Sequence, residues 1–149
     1  MIHLEEIDEN NWRCPLTVKQ GQSKFVSPCA RILARAYAYR EARSQAKLIY
    51  CDDTAVGMLL YYDCPERDAY DFSQLMIDQR YQGRGYGMEA AKQAIAEMKE
   101  DGTYHKICLC YIEGNDTARR MYEKLGFRET GEREEDEIIM ELSWQTMCL

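Results

Sequence analysis

Between Tyr81 and Gly87 the chain reads YQGRGYG, with glycine at the alternate positions 83, 85 and 87. Glycine inside a regular element costs roughly 0.5–1 kcal/mol relative to alanine, so such a cluster marks backbone that must approach something closely. Its flanks say what. AYDFSQLMID (Ala69 to Asp78) before it reads as a strand running directly into the glycines. MEAAKQAIAEMKE after it places Met88, Ala91, Ile95 and Met98 on one helical stripe, with Gly102 as the stop. A glycine loop between a strand and a helix turns successive backbone N–H groups, and the positive end of the helix dipole, toward an anion. The sequence therefore predicts a site for phosphate or pyrophosphate.

The rest of the chain predicts a globular domain to carry that loop. Its 149 residues fit one domain spanning 1–149, and 46% hydrophobic with 30% charged residues excludes a disordered chain. The longest apolar run, AVGMLLYY (Ala55 to Tyr62), is too short for a membrane span, and the acidic start MIHLEEIDEN does not read as a signal peptide. A cytoplasmic protein with no membrane partner is expected. A net charge of −7 argues against a nucleic-acid surface and favours a cationic small molecule. Seven cysteines (14, 29, 51, 64, 108, 110, 148) form no Cys-x-x-Cys pair and have only His3 and His105 beside them, so reduced apolar side chains, without a metal, are expected.

Along the chain IHLEEI reads as a strand, and SPCARILARAYAY as a helix opened by Ser27 and Pro28. AKLIY and AVGMLLYY read as a hairpin around CDDT, and DCPERD as a polar turn. KICLCYI is a strand that points Cys108 and Cys110 the same way. NDTARRMYEKLGF is a short helix capped by Asn115 or Asp116 and stopped by Gly126. FRETGE and EIIMEL close a second hairpin, with EREEDE (Glu132 to Glu137) as its solvated turn. This order predicts an α/β (α+β) fold around one mixed sheet flanked by helices.

Three phosphate-loop patterns compete for the glycines. A Walker loop requires Lys-Ser/Thr after its last glycine, where this chain has Met88 and Glu89. A dinucleotide fingerprint requires Gly-x-Gly-x-x-Gly near the start of a βαβ unit, and Gly83-x-Gly85-x-Gly87 is one residue short and past mid-chain. The third, Gln/Arg-x-x-Gly-x-Gly/Ala, is met by Gln82, Gly85 and Gly87. It is the acetyl-CoA loop of the GNAT superfamily of N-acetyltransferases, which the chain resembles. LMIDQRYQGRGYG looks like that family's strand, splayed connection and helix start. NDTARRMYEKLGF is similar to its later Asn-x-x-Ala-x-x-x-Tyr-x-x-x-Gly-Phe helix, one helix and one strand further on, and the order of elements agrees along the whole chain.

The resemblance implies a central sheet splayed between two strands, with acetyl-CoA in the gap as cosubstrate. By analogy the backbone of Leu75, Met76 and Ile77 binds pantetheine, and a backbone N–H near Met76 or Ile77 stabilises the oxyanion. Gln82, Gly83, Arg84, Gly85, Tyr86, Gly87 and Met88 receive the pyrophosphate. Spacing puts Asn115, Ala118 and Tyr122 on one helical face. That pattern alone also suits a capped helix with a core tyrosine. The resemblance makes Asn115 and Ala118 cofactor neighbours, and Tyr122 the acid that protonates the departing thiolate. The attacking amine needs a base, in that family often a carboxylate: Asp71, which shares a strand face with Ser73, is one candidate, and Glu113, two residues before Asn115, is the other and the preferred one.

The stretch Gln20 to Ala42, LMID and the closing TGE…EIIMEL are similar to a bacterial spermine/spermidine acetyltransferase group within GNAT. That similarity implies a polyamine or small diamine acceptor, a homodimer, and acceptor contacts from Glu41, Asp71 and Ser73. Arg40, Asp71 and Ser73 depart from the group's residues at those places. A domain that binds acetyl-CoA without turnover, as a sensor or interaction module, and an acetyltransferase of peptide amines remain the alternatives.

Overall fold

The computed structural model describes residues 1–13, 16 and 29–145. The helix-start residues Ser27 and Pro28, the acceptor-side stretch from Gln20 to Pro28, and Cys14 and Cys148 lie outside the described residues. The elements run β1 (Ile2–Glu6), α1 (Cys29–Ala38), β2 (Gln45–Cys51), β3 (Thr54–Cys64), β4 (Ala69–Ile77), α2 (Tyr86–Asp101), β5 (Lys106–Ile112), α3 (Asp116–Lys124), β6 (Arg128–Glu134) and β7 (Glu137–Ser143). Among the described residues the strands form one sheet in the order β1-β2-β3-β4-β5-β7-β6. Every neighbouring pair is antiparallel except β4 with β5. This is the expected α/β fold, a mixed central sheet flanked by helices.

Hydrophobic side chains leave both faces of the sheet. On one side Leu59, Tyr70, Phe72 and Leu109 pack with Ala91, Ala94 and Met98 of α2. On the other Leu48, Met58, Leu60, Tyr62 and Met76 pack with Ile32 of α1. β3 is buried from Val56 to Tyr62 because it serves both layers, and that is why its sequence runs apolar without alternation.

Two irregularities of β4 shape the region after it. The register with β3 steps from Tyr61↔Phe72 to Leu60↔Gln74, which leaves Ser73 as the extra residue of a bulge. Phe72 and Leu75, three apart, therefore both join the α2 side. The pairing with β5 also stops early, with Tyr70↔Ile107 and Asp71↔Cys108 alone. β5 goes on pairing β7 along all seven of its residues, so β4 and β5 part beyond Asp71.

Several boundaries correct the sequence reading. β4 does not run into the glycines but ends at Ile77, and the fully buried Asp78 caps a 3-10 turn over Gln79–Tyr81. Its carboxylate accepts hydrogen bonds from Arg80 N and Nε, both at 2.9 Å, which explains how a buried charge is tolerated. α2 starts at Tyr86, two residues early, because Gly85 (φ 81°) forms its cap, so Gly87 lies in the first helical turn. The buried stripe of α2 is Ala90, Ala91, Ala94, Ile95 and Met98, and Met88 is only half-buried since it faces the cavity described below. β3 continues to Cys64, and Pro65–Arg67 adds a further 3-10 turn within the expected polar loop. Cys108 is buried and Cys110 exposed, because β4 covers the first and has departed by the second.

Candidate functional site

The parted strands open a cavity of about 610 Å³ bounded by β4, the glycine loop, the start of α2 and one side of α3. Leu75, Met76 and Ile77 line it, together with Gln82, Gly83, Gly85, Tyr86, Gly87, Met88, Asn115, Ala118 and Tyr122. Gly83 and Gly85 hold φ of 79° and 81°, and a Cβ added to either would meet nothing within 4 Å. Conformation, not crowding, selects glycine there: only a left-handed backbone turns the loop amides inward. At Gly87 an added Cβ would make ordinary 3.6 Å contacts with Ile77 and Met121, which accounts for a pattern that admits alanine. Gln82 Nε2 donates to the Ile77 carbonyl at 2.8 Å and ties the loop to the end of β4. Arg84 is not part of the lining. It lies over the Tyr81 ring, 5.6 Å from its centroid.

Tyr122 is held by its ring against Phe127 (centroids 5.7 Å apart, planes at 68°) and by Phe127 N donating to its carbonyl at 3.0 Å. Among the described residues nothing hydrogen-bonds its hydroxyl. Desolvation pushes the phenol up to about 12, so it keeps its proton throughout the neutral range. Asn115 is the cap of α3, its Oδ1 accepting from Ala118 N at 3.3 Å. The side-chain oxygen is therefore engaged at the helix start.

Glu113 lies off the cavity. Its N–H donates to Asp136 O at 2.8 Å, which sets it beside the β6–β7 turn. Its carboxylate accepts from Arg133 Nη2 at 2.5 Å, and this ion pair holds it below the usual carboxylate range. Asp71 and Ser73 stand on the α1 face of β4. Ser73 Oγ accepts from Arg35 Nη1 at 3.2 Å and from the Tyr62 hydroxyl at 3.3 Å, and Tyr62 stacks on Tyr39 with centroids 4.2 Å apart. Asp71 is half-buried, and burial pushes its carboxyl up to about 6 against the pull of Arg35 and Arg67. Glu41 is exposed in the 3-10 turn Arg40–Ala42, without a hydrogen bond or ion pair among the described residues. The structure thus gathers the cofactor-side residues apart from Arg84, and leaves Glu113, Glu41, Asp71 and Ser73 outside the lining of their cavity.

The sequence reading missed Tyr81, Thr117, Arg120, Met121 and Lys124, all of which line the cavity. The signal was present: 117, 120, 121 and 124 have the spacing of one helical face, next to the face of 118 and 122. Arg120 and Lys124 make no ion pair among the described residues, so the cavity carries uncompensated positive charge. Among those residues no group of three or more His, Cys, Asp or Glu is placed to hold a metal ion, and no helix is long and apolar enough to cross a membrane.

A splayed mixed sheet, left-handed glycines before a helix and two cavity-lining cations without an ion pair among the described residues suit a long ligand with a phosphorylated end. The acetyltransferase (GNAT) family matches residues 4–127, and the chain belongs to that family. It is an acyltransferase, and the cosubstrate this implies is acetyl-CoA, whose pyrophosphate and linear arm suit the loop and the free strand edge. A spermine/spermidine N(1)-acetyltransferase of Bacillus subtilis is 32% identical over 142 residues, 88% of this chain and 90% of that one. Spermidine N-acetyltransferase of Vibrio cholerae, solved with CoA and spermine, superposes with a TM-score of 0.75 at 16% identity over 95% of both chains. The PaiA N-acetyltransferase of Thermoplasma acidophilum, solved with coenzyme A, gives 0.73 at 14% identity over 97% of this chain and 99% of the other.

Proposed function

We propose that this chain transfers the acetyl group of acetyl-CoA to a primary amine of a small polycation, spermidine, spermine or a related diamine, by direct attack in a ternary complex. One observation carries the reading. Among the described residues a single cavity joins the left-handed glycine loop, a strand edge without a partner and a protonated tyrosine hydroxyl free of other bonds.

Each part has a task in this reading. Loop amides from Gly83 to Met88, with the dipole of α2, bind the pyrophosphate. The free edge at Leu75, Met76 and Ile77 bonds the amides of the arm, and a main-chain N–H at Met76 or Ile77 polarises the carbonyl under attack. Ala118 allows close approach, and Asn115 fixes the start of the helix that presents Tyr122. Acetyl-CoA supplies a thioester, an activated carbonyl whose sulfur must leave with a proton. Tyr122 donates that proton. Glu113 takes no proton-transfer role here, because Arg133 holds its carboxylate. The net charge of −7 and the acceptor named for the Bacillus subtilis relative support a polycation, and Glu41 and Ser73 belong to its side of the sheet. Residues 1–149 act as one acetyltransferase domain, in the cytoplasm and as a homodimer.

Release of free thiol from acetyl-CoA tests this against spermine, spermidine, short diamines, aminoglycosides and lysine peptides. Turnover on polyamines is expected, with kcat of Tyr122→Phe lower by about 10²–10⁴. Turnover on peptides alone would replace the acceptor class. Tight acetyl-CoA binding with no acetylated amine would make the chain a binding module.

A further inference from the structure

Among the described residues β6 is one edge of the sheet, paired with β7 on one side and with no strand on the other. All of its residues are exposed except the half-buried Thr130. An open edge is a template for a further strand, and natural proteins blunt such edges with charge. The charges of β6 are of both signs: Arg128, Glu129, Glu132, Arg133 and Glu134. The middle ones are engaged within the chain. Glu129 accepts from the Tyr111 hydroxyl at 2.6 Å, Glu132 accepts from Arg67 Nη2 at 3.1 Å, and Arg133 donates to Glu113. Arg128 and Glu134, at the two ends, make no side-chain hydrogen bond or ion pair among the described residues.

The order of these charges is symmetric about Gly131, with the sign inverted. Arg128 and Glu134 stand equally far from it on either side, and so do Glu129 and Arg133. When a strand pairs antiparallel with its own copy, a two-fold axis passes through the centre of the pairing, and residues equally far from the centre face each other. Centred on Gly131, β6 and its copy set Arg128 against Glu134 and Glu129 against Arg133, each twice, and no like charges meet. A slip of one residue either way loses this. It sets Arg128 against Arg133 and Glu129 against Glu132, or Glu129 against Glu134. At the axis itself Gly131 holds φ of 90°, and a Cβ added there would meet nothing within 4 Å, so the middle of the edge faces open space. The opposite edge of the sheet, β1, has no such symmetry: about its middle residue Leu4 it sets Ile2 against Glu6.

We propose that β6 is the docking edge for a second copy of this chain, paired antiparallel about Gly131 so that Arg128 of each copy meets Glu134 of the other. The inference rests on the homodimer of the reading above and names the surface that makes it. Its two-fold axis stands normal to the sheet, so the seven strands of each copy join into one continuous sheet with both α1 faces on the same side. The charges that blunt the edge toward other strands are those that admit its own copy, which makes the contact selective as well as attractive. No residue of β6 lines the cofactor cavity, so pairing leaves that cavity open in both copies. A contact made by one strand edge and its side chains is smaller than a standard interface, and its ion pairs are exposed. Association is therefore modest in strength and sensitive to salt.

The test is the mass of the full chain in solution, by sedimentation or light scattering over a range of protein and salt concentrations. The wild type is expected to dimerise in the micromolar range at low salt and to dissociate as salt rises. Arg128→Glu and Glu134→Arg each place like charges across the axis twice, so each alone is expected to weaken self-association at least tenfold. Mixed together, the two variants have opposite charges at both contacts and are expected to form a one-to-one heterodimer, and the double variant is expected to dimerise again. That rescue is a readout that loss of folding cannot imitate. A wild type that stays monomeric at every concentration overturns this edge and the homodimer together. A wild-type dimer indifferent to both reversals, or variants that fail to associate when mixed, overturns the edge and leaves the homodimer standing. The acetyl-transfer reading is judged separately by thiol release.

Discussion

Gly57 was not singled out in the sequence, yet it decides where the free strand edge lies. It pairs with Ile77 across β3 and β4, and a Cβ placed on it would fall 2.2 Å from the Met76 carbonyl oxygen. No side chain can yield there, because the atom met is backbone, so the strand must shift. Gly57→Ala is expected to lower stability by about 1–3 kcal/mol and to weaken acetyl-CoA binding, since the displaced residues are those proposed to bond its arm. Urea unfolding and calorimetric titration would check both. An alanine as stable as wild type would show that β4 is not held as tightly as this contact implies. Gly87 is the contrast: its added Cβ makes only 3.6 Å contacts in a helical turn, so proximity to the site alone does not make a glycine indispensable.

Among the elements α3 shows how a short helix presents two functions at once. It has no fully buried residue, and it is oriented by Tyr122 against Phe127 and by its Asn115 cap. One side brings Ala118 and Tyr122 to the cavity. The neighbouring side brings Arg120 and Lys124, cations without an ion pair among the described residues, beside the glycine loop. Arg120→Ala with Lys124→Ala is expected to weaken acetyl-CoA binding about tenfold at low salt and progressively less as ionic strength rises. Affinity measured at two salt concentrations would check this, and a loss independent of salt would assign the two residues a packing role. Neighbouring Arg119 is different, being engaged by Glu123 at 3.1 Å and Asp116 at 3.5 Å.

Across the whole molecule a polar clamp joins segments far apart in sequence. Arg43, itself left-handed at φ 53°, binds Asp63 at the end of β3 (2.6 Å) and Asp101 at the end of α2 (2.9 Å), and Tyr70 of β4 donates to the same Asp101. Arg43, then Tyr70, hold the Asp101 carboxyl below its ordinary range. A depressed carboxylate stabilises the fold above its unfolded value near 3.9, and that contribution is lost as pH falls through the folded value. Arg43→Ala is therefore expected to cost about 1 kcal/mol at pH 7, modest because the side chain is 47% exposed, with the gap to wild type narrowing from pH 4 downward. Denaturant unfolding at pH 7 and pH 2.5 would check it, and a gap that widens in acid would refute the clamp.

At this scale the sequence and the tertiary structure divide the work visibly. Local pattern was enough for the strands and helices, the α/β class and the glycine loop, because alternation, helical stripes, caps and turn residues act within a few positions of one another. The α3 cap at Asn115 and the Gly102 stop, whose N–H donates to Met98 O at 3.2 Å, stand where such rules put them. The bulge at Ser73, the buried cap at Asp78 and the pairing of Glu113 with Arg133, twenty residues on, are different. Each depends on which strand lies alongside, and nothing within a few residues encodes that. The same holds for Asp71. Its residue type was plain from the sequence, but its lack of a side-chain hydrogen bond or ion pair among the described residues, and its place at the last β4–β5 pairing, exist only once β3, β4, β5 and α1 have packed around it. Desolvation and charge are set by three-dimensional neighbours, so the chemistry of a group can be decided only where the chain has folded.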